Sequence, residues 1–378
     1  MENSHSNSIL TTPLSKLHLS QGAKMIEFAD YLMPLQYEGI VVEHCHTRTH
    51  CSLFDVSHMG QAWVVGDDFQ EVALALQAVI PADLLSLTEG KMRYTTLLNE
   101  QGGIIDDLII TRLPENFGHS AFFHLVVNAS RKVVDYSYLT KVFKAHNSRA
   151  KLHTLDNFAA IALQGPKSLE ILVKLNSSIA DIEFMRARSI EISGIECWIS
   201  RSGYTGEIGF EIATEKDDIE KLTQLLLDFD EVKMAGLGAR DSLRLEAGLP
   251  LYGNDMNDTI TPVEANLSFV LNKKRRESAD FAGAEKIIKQ LKQGTKQLRV
   301  GLDIEGRAPL RQRVQIMLED KQVGVVTSGC FSPTLQKPIA CAYVDSDYIN
   351  SSGLMATVRD KKIPVKVGGL VFVPTRYK

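Results

Sequence analysis

The sequence predicts an α+β fold in more than one unit, and three observations carry that reading. At 378 residues the chain exceeds what a single hydrophobic core usually supports. Helical and strand patterns alternate irregularly through residues 1–270, without the strict pairing that a parallel βαβ sheet demands and without a fixed-period repeat. From residue 297 onward, short alternating strands separated by Gly, Asn, Asp or Pro take over, a spacing that suits a small β-barrel or sandwich.

Taken in order, the first dense segment is residues 43–51, Glu-His-Cys-His-Thr-Arg-Thr-His-Cys, with His46 and His50 one helical turn apart. It has the residue types of a metal site, but its spacing matches no standard zinc framework. An ordinary, partly exposed helix is the expectation, with no metal. Residues 52–60 lead an apolar pair into a polar turn ending in Met59 and Gly60. The polarizable thioether of Met59 suits either core filling or the wall of a ring-binding pocket. Residues 61–65 read as a strand.

The run 99–110, Asn-Glu-Gln-Gly-Gly-Ile-Ile-Asp-Asp-Leu-Ile-Ile, places two carboxylates where a tight turn feeds an apolar strand. Gly102 and Gly103 permit the return, so residues 94–98 and 104–113 form a hairpin. Strand neighbours point to opposite faces, so Asp106 and Asp107 are not expected in one pocket. One is a candidate functional acid, and the other faces solvent or caps the turn; the bland alternative makes both edge-strand residues.

Strands are expected at 122–127, 159–163, 197–201 and 209–213, and helices at 217–227 and 240–247. If Phe210 is core, Glu211 faces a cleft or water. Residues 236–248 form a glycine-rich entry into a helix. The third glycine of a dinucleotide fingerprint is replaced by Asp241, and no acid follows at the usual distance. Arg240 either anchors a carboxylate or pairs with Asp241 or Glu246 on the surface. Residues 271–294 turn charged, with Lys273-Lys-Arg-Arg, and read as a boundary. Beyond it, strands are expected at 298–304, 314–317, 322–328, 339–344, 355–358 and 363–367.

Composition excludes several classes. A formal net charge of −4 with both signs interspersed offers no basic field for nucleic acid. No stretch approaches the length of a membrane span. Residues 1–19 show neither an apolar core nor an arginine, so cytoplasm is the expected compartment. Five scattered cysteines without a CxxC pair suit reduced thiols. The remaining inventory of carboxylates, aromatics, a methionine and an arginine fits a pterin: adjacent N–H donors for a carboxylate, a flat ring for apolar walls, and a glutamate tail for a cation.

At these residues the chain resembles the T-protein family of the glycine cleavage system. The resemblance runs through Thr12-Pro-Leu, Gly22-Ala-Lys-Met, Met33-Pro-Leu-Gln-Tyr, residues 52–59 and 102–108, Leu163-Gln-Gly-Pro-Lys, residues 203–207 and the arginine helix. It continues in Leu251-Tyr-Gly-Asn-Asp-Met, Thr261-Pro-Val-Glu, Asp280-Phe-Ala-Gly and Thr327-Ser-Gly-Cys-Phe-Ser-Pro. One departure is Tyr31-Leu32, where family members often carry glycine and tryptophan nearby. The resemblance implies a three-domain cloverleaf around a folate channel. Residues 1–275 would form two interleaved domains, the second inserted at roughly 60–150, and residues 276–378 the C-terminal β-barrel domain.

It further implies transfer of an aminomethyl group from the lipoyl arm of the H-protein to tetrahydrofolate, a co-substrate, giving 5,10-methylenetetrahydrofolate and ammonia. The essential aspartate falls on Asp107, and folate contacts fall on Met59, Tyr94, Tyr204, Glu211 and Arg240, with Val127 and Asn128 alongside. Asp107 is expected to be an ordinary ionised aspartate of pKa about 3.9 that positions and stabilises charge. The rival reading, a non-catalytic folate-binding protein of the iron–sulfur repair type, lacks its Lys-Gly-Cys-Tyr-x-Gly-Gln string here. Lys273 to Arg276 reads as a solvated linker or as a basic face toward an acidic H-protein.

Overall fold

The acid-bearing hairpin shows how local sequence builds this structure, a computed structural model that describes residues 9–118, 120–359 and 361–377. Strands Met92–Leu98 and Ile104–Arg112 pair antiparallel. Asn99 makes the return, its Oδ1 accepting from the backbone N–H groups of Gln101 (3.0 Å) and Gly103 (2.9 Å), while Gly102 takes a φ of 75°. Gly103 is required by crowding, because a Cβ there would lie 1.8 Å from the carbonyl oxygen of Asp258. A bulge follows: Leu97 pairs with Asp106, yet Leu98 pairs with Ile104. The extra residue bends the strand immediately before the two acids.

This hairpin forms one side of a five-stranded sheet, in the order Met92–Leu98, Ile104–Arg112, Ala121–Val127, Gly60–Val65 and Lys151–Thr154. A six-stranded sheet has the order Ala187–Ile192, Ile195–Ser200, Gly209–Glu215, Phe158–Gln164, Cys51–Asp55 and Val232–Met234. The chain enters the larger sheet with Cys51–Asp55, builds the smaller one between Gly60 and Thr154, and returns as Phe158–Gln164, antiparallel to Cys51–Asp55. Residues 297–368 close six strands into a barrel, so the barrel rather than the sandwich is what the C-terminal strand spacing encodes. The class is α+β, as the sequence predicts. Among the described residues no helix is long and apolar enough to cross a membrane.

Each sheet has its own core. Phe123, Leu125 and Ile110 of the five-stranded sheet pack with Val72 and Leu76 of helix Phe69–Gln77 and Leu139 of helix Lys132–Ala145. Phe210, Ile212 and Ile161 of the six-stranded sheet pack with Leu172 of helix Ser168–Leu175 and Leu222 of helix Ile219–Leu227. Val300, Leu302, Ile316 and Ala342 fill the barrel.

Helix Leu237–Glu246 joins these bodies, packing on helix Ile40–Thr49, strand Tyr31–Gln36 and the barrel strands Lys321–Ser332 and Lys337–Asp345. The glycines at its start serve that packing: a Cβ on Gly236 would meet the Leu35 carbonyl oxygen at 2.3 Å. Arg244, fully buried, reaches Asp255 Oδ2 at 2.8 Å and donates to Ser328 Oγ at 2.9 Å. Asp255 also accepts from Thr327 Oγ1 at 2.5 Å. Glu246 accepts from Arg48 Nη2 at 2.8 Å, Thr334 Oγ1 at 2.8 Å and Ser332 Oγ at 2.5 Å. Burial works against its ionisation, but the hydrogen bonds and charge of His44, with Ser332 and Arg48, hold it at about 2.

One sequence expectation holds here and another changes. The histidine-rich segment is the expected partly exposed helix, Ile40–Thr49, with Val41, Val42, Cys45 and Thr49 toward water and Glu43, His44, Thr47 and Arg48 buried. His44 contacts Ser242 Oγ through Nδ1 at 2.7 Å and Glu246 through Nε2 at 3.1 Å. The basic run is not a linker but helix Lys273–Ser278, capped by Asn272, whose Oδ1 accepts the Arg275 N–H at 2.9 Å. Arg275 is buried, bonded to the Gln77 carbonyl at 2.6 Å and paired with Asp280. Arg276 donates to the carbonyls of Leu271 and Ser268, both at 2.9 Å.

Asp255 Oδ1 also lies 3.9 Å from Nε of the buried Arg299; replacing Asp255 by Ala leaves Arg299 without that carboxylate and Arg244 with only the half-exposed Asp241, a loss of about 3–5 kcal/mol. Chemical denaturation followed by tryptophan fluorescence should show a clearly lower midpoint; an unchanged midpoint would remove Asp255 as the hub.

Candidate active site

The two acids of the hairpin end up joined, against the alternation argument. Asn128 follows strand Ala121–Val127, whose Val127 pairs with Leu108, so its side chain reaches back over the strand end. Its Nδ2 donates to Asp106 Oδ1 at 2.9 Å and to Asp107 Oδ1 at 2.8 Å, and its backbone N–H donates to Asp106 Oδ2 at 3.1 Å. Asp106 is fully buried and neither faces solvent nor caps the turn, which corrects the sequence expectation. The physical reason is the neighbouring strand, whose terminal amide bridges both faces of the pleat.

Asp107 is only partly exposed and takes a second hydrogen bond, from the Tyr94 hydroxyl to Oδ2 at 3.0 Å. Burial first, and then the charge of Asp106, push its carboxyl up to about 7, against the pull of the Tyr94 and Asn128 hydrogen bonds. The expectation of an ordinary, wholly ionised aspartate is therefore wrong. A carboxyl titrating near neutrality both accepts and returns a proton at physiological pH. Burial and Asp107 together raise the Tyr94 phenol well above its usual range, so it stays a donor. The Tyr94 ring stacks on Phe269 with centroids 6.0 Å apart.

From Tyr94 the site continues through Tyr204, whose phenol feels both Asp107 and Arg240 and donates to the Pro250 carbonyl. The Arg240 guanidinium lies over the Tyr204 ring, 4.8 Å from its centroid. Arg240 pairs with neither Asp241, which binds Arg244, nor Glu246, which binds Arg48. Its Nη1 is buried with no hydrogen-bond partner, while the charge of Glu211 offsets part of its desolvation. Phe210 is indeed core, so Glu211 turns the other way, accepting from Ser202 Oγ at 2.6 Å. Met59, half-buried in the turn before strand Gly60–Val65, packs with Phe54, Ala239 and Leu243. Val127 stands apart from the other candidates: its side chain lies in the core of the five-stranded sheet.

Three neighbours escaped sequence reasoning. Phe269 is an exposed aromatic with no pattern around it. His58, beside Met59, is buried and pushed down to about 4 by burial, with Asp55 opposing and Arg240 and Lys132 assisting. Asp135 had a legible signal: an acid on the same helical stripe as Leu139, Val142 and Phe143, all buried.

Comparison with known proteins bears directly on this arrangement. Residues 14–275 match the family model described as the GCVT N-terminal domain, and residues 297–374 match the glycine cleavage T-protein C-terminal barrel domain. The mitochondrial aminomethyltransferase of Dictyostelium discoideum is 41% identical, over 99% of this chain and 95% of that protein. The mitochondrial aminomethyltransferase of Homo sapiens is 41% identical over 97% and 90%, and the aminomethyltransferase of Caldanaerobacter subterraneus 37% over 97% and 96%. The crystal structure of glycine cleavage system aminomethyltransferase T from Bartonella henselae superposes with a TM-score of 0.90 at 39% identity, covering 98% of this chain and 99% of that one. Identity of this extent, over both family models and the whole fold, places the chain in the glycine cleavage T-protein family of aminomethyltransferases.

Proposed function

We propose that this enzyme transfers the aminomethyl group carried on the lipoyl arm of an H-protein to tetrahydrofolate, releasing ammonia and forming 5,10-methylenetetrahydrofolate. The observation that carries the reading is Asp107, a carboxyl held near neutrality and oriented by Tyr94 and Asn128. The rest of the pocket suits a reduced pterin with an acidic tail. Glu211 retains acceptor capacity for ring N–H donors, Met59, Tyr94 and Tyr204 supply flat walls, and Arg240 keeps a buried, unpartnered N–H for an anion.

Bond changes balance without any other reactant. The carbon–sulfur bond to the carrier breaks, the carbon–ammonia bond breaks, and two carbon–nitrogen bonds form to N5 and N10. Two N–H protons leave those nitrogens; one ends on the carrier thiol and one on ammonia. Asp107 in its ionised form takes a proton from an attacking nitrogen and, at a pKa near 7, returns it to the leaving amine. Its negative charge also stabilises the cationic character that grows as carbon leaves sulfur. Tyr94 and Asn128 hold the carboxylate in place, so much of the acceleration comes from orientation.

The decisive measurement is methylenetetrahydrofolate formation from aminomethyl-loaded H-protein. Asp107→Asn should lower kcat by about 100- to 1000-fold; turnover within tenfold of the natural chain would refute the assignment. The pH profile of kcat/KM should fall on the acid side near the Asp107 value of about 7, because the group must be ionised to accept a proton. Tyr94→Phe removes a hydrogen bond that lowers the Asp107 pKa, so this limb should move to higher pH. A limb that stays put or moves downward counts against Tyr94 as its partner.

A further inference from the structure

Behind Asp106 lies a third carboxyl. Asp135 sits in the first turn of helix Lys132–Ala145 and is fully buried. Neither of its oxygens meets a nitrogen or hydroxyl donor. Its hydrogen-bonding neighbour is the Asp106 carboxyl, which is itself an acceptor. Two buried carboxyls in hydrogen-bond contact cannot both be ionised, so one of them carries a proton.

The donors decide which. Asp106 accepts two N–H groups from Asn128, at 3.1 Å and 2.9 Å, and has the Arg131 guanidinium nearby. Asp135 has no donor. Fixed donors stabilise an anion, whereas an acid that meets only an acceptor can satisfy itself by donating.

We infer that Asp135 is a positioning residue that bears the proton of this buried pair at neutral pH and donates it to Asp106, keeping Asp106 anionic beside Asp107. The inference rests on the reading of Asp107 as the working acid and extends it one residue outward. Burial and Asp106 push Asp135 up to about 10, in keeping with a proton retained throughout the working range. The other groups that face the cluster do not displace it. Arg131, which donates to the Ile105 carbonyl at 3.1 Å, lowers both Asp106 and Asp135. Tyr94, Tyr136, Tyr204 and Tyr252 are all raised and neutral, and Asp258 helps to raise Tyr252.

The functional consequence is indirect. An anionic Asp106 is the second cause of the raised Asp107 value, after burial. Without a donor from Asp135, the Asp106 carboxyl rises further, bears less of its charge at neutral pH and repels Asp107 less. Asp107 would then fall back toward an ordinary aspartate and lose its fit to proton exchange at pH 7.

The test uses the full chain. In Asp135→Ala the acid limb of the kcat/KM profile should move down by about one pH unit or more, whereas in Asp135→Asn, whose amide still donates to Asp106, it should stay in place. A purely packing role would lower the plateau in both variants and leave both limbs alone, and that result overturns the inference. A second readout needs no turnover. With aspartate carboxyl carbons labelled with carbon-13, one resonance should remain in its protonated position at pH 7 in the natural chain and be missing from Asp135→Asn. Absence of that resonance from the natural chain also overturns the inference. If the natural chain forms no methylenetetrahydrofolate, the proposed reaction fails, while the resonance still decides where the proton resides.

Discussion

Buried charge on one helix is the constraint around which this molecule is arranged. Helix Leu237–Glu246 projects Arg244 toward Asp255 and the barrel, and Glu246 toward Arg48, His44 and the barrel turn at Thr334. Each ion left alone in that interior would cost several kcal/mol, so every body that supplies a partner is held in place. Cores of Leu, Ile and Val stabilise the sheets separately. The partners of this helix set how they meet.

That arrangement also leaves Arg240 available. Its two acidic helix neighbours are committed elsewhere, Asp241 to Arg244 and Glu246 to Arg48. What remains over Tyr204 is a half-buried cation whose Nη1 is buried and unpartnered, within the field of Glu211. The free nitrogen of Arg240 arises from the subtraction of the structural pairs, which is a property of the assembled chain rather than of any segment.

The opposite end of the site works by accumulation of like charge. Asp107, Asp106 and Asp135 come from two elements and meet behind Asn128, whose amide binds the first two. Burial raises all three, and the charge of Asp106 adds to it at Asp107 and Asp135, but the outcome is unequal because Asn128 and Tyr94 supply donors to some oxygens and none to others. Unequal donor supply separates the values enough for one group to titrate near neutrality. The bulge before Asp106 and the position of Asn128 at a strand end are the backbone devices that permit the meeting.

Much was legible in the sequence alone. The Asn-x-x-Gly-Gly return, the period-two strands and the C-terminal strand spacing depend on neighbours a few residues apart, and they specified the hairpin, the α+β class and a barrel-like C-terminal unit. Phe210 as core and Glu211 facing the other way followed from the same alternation. Only the tertiary structure decided the ionisation of Asp107, the bridge between Asp106 and Asp107, the burial of Arg275 and the use of His44 and Arg48 as partners of Glu246. Local pattern reports backbone geometry, which is short-ranged. A pKa or a buried ion pair instead depends on desolvation and on partners distant in sequence, such as the Asn128 amide for Asp106 or Arg48 for Glu246, which come together only when the sheets and the arginine helix pack.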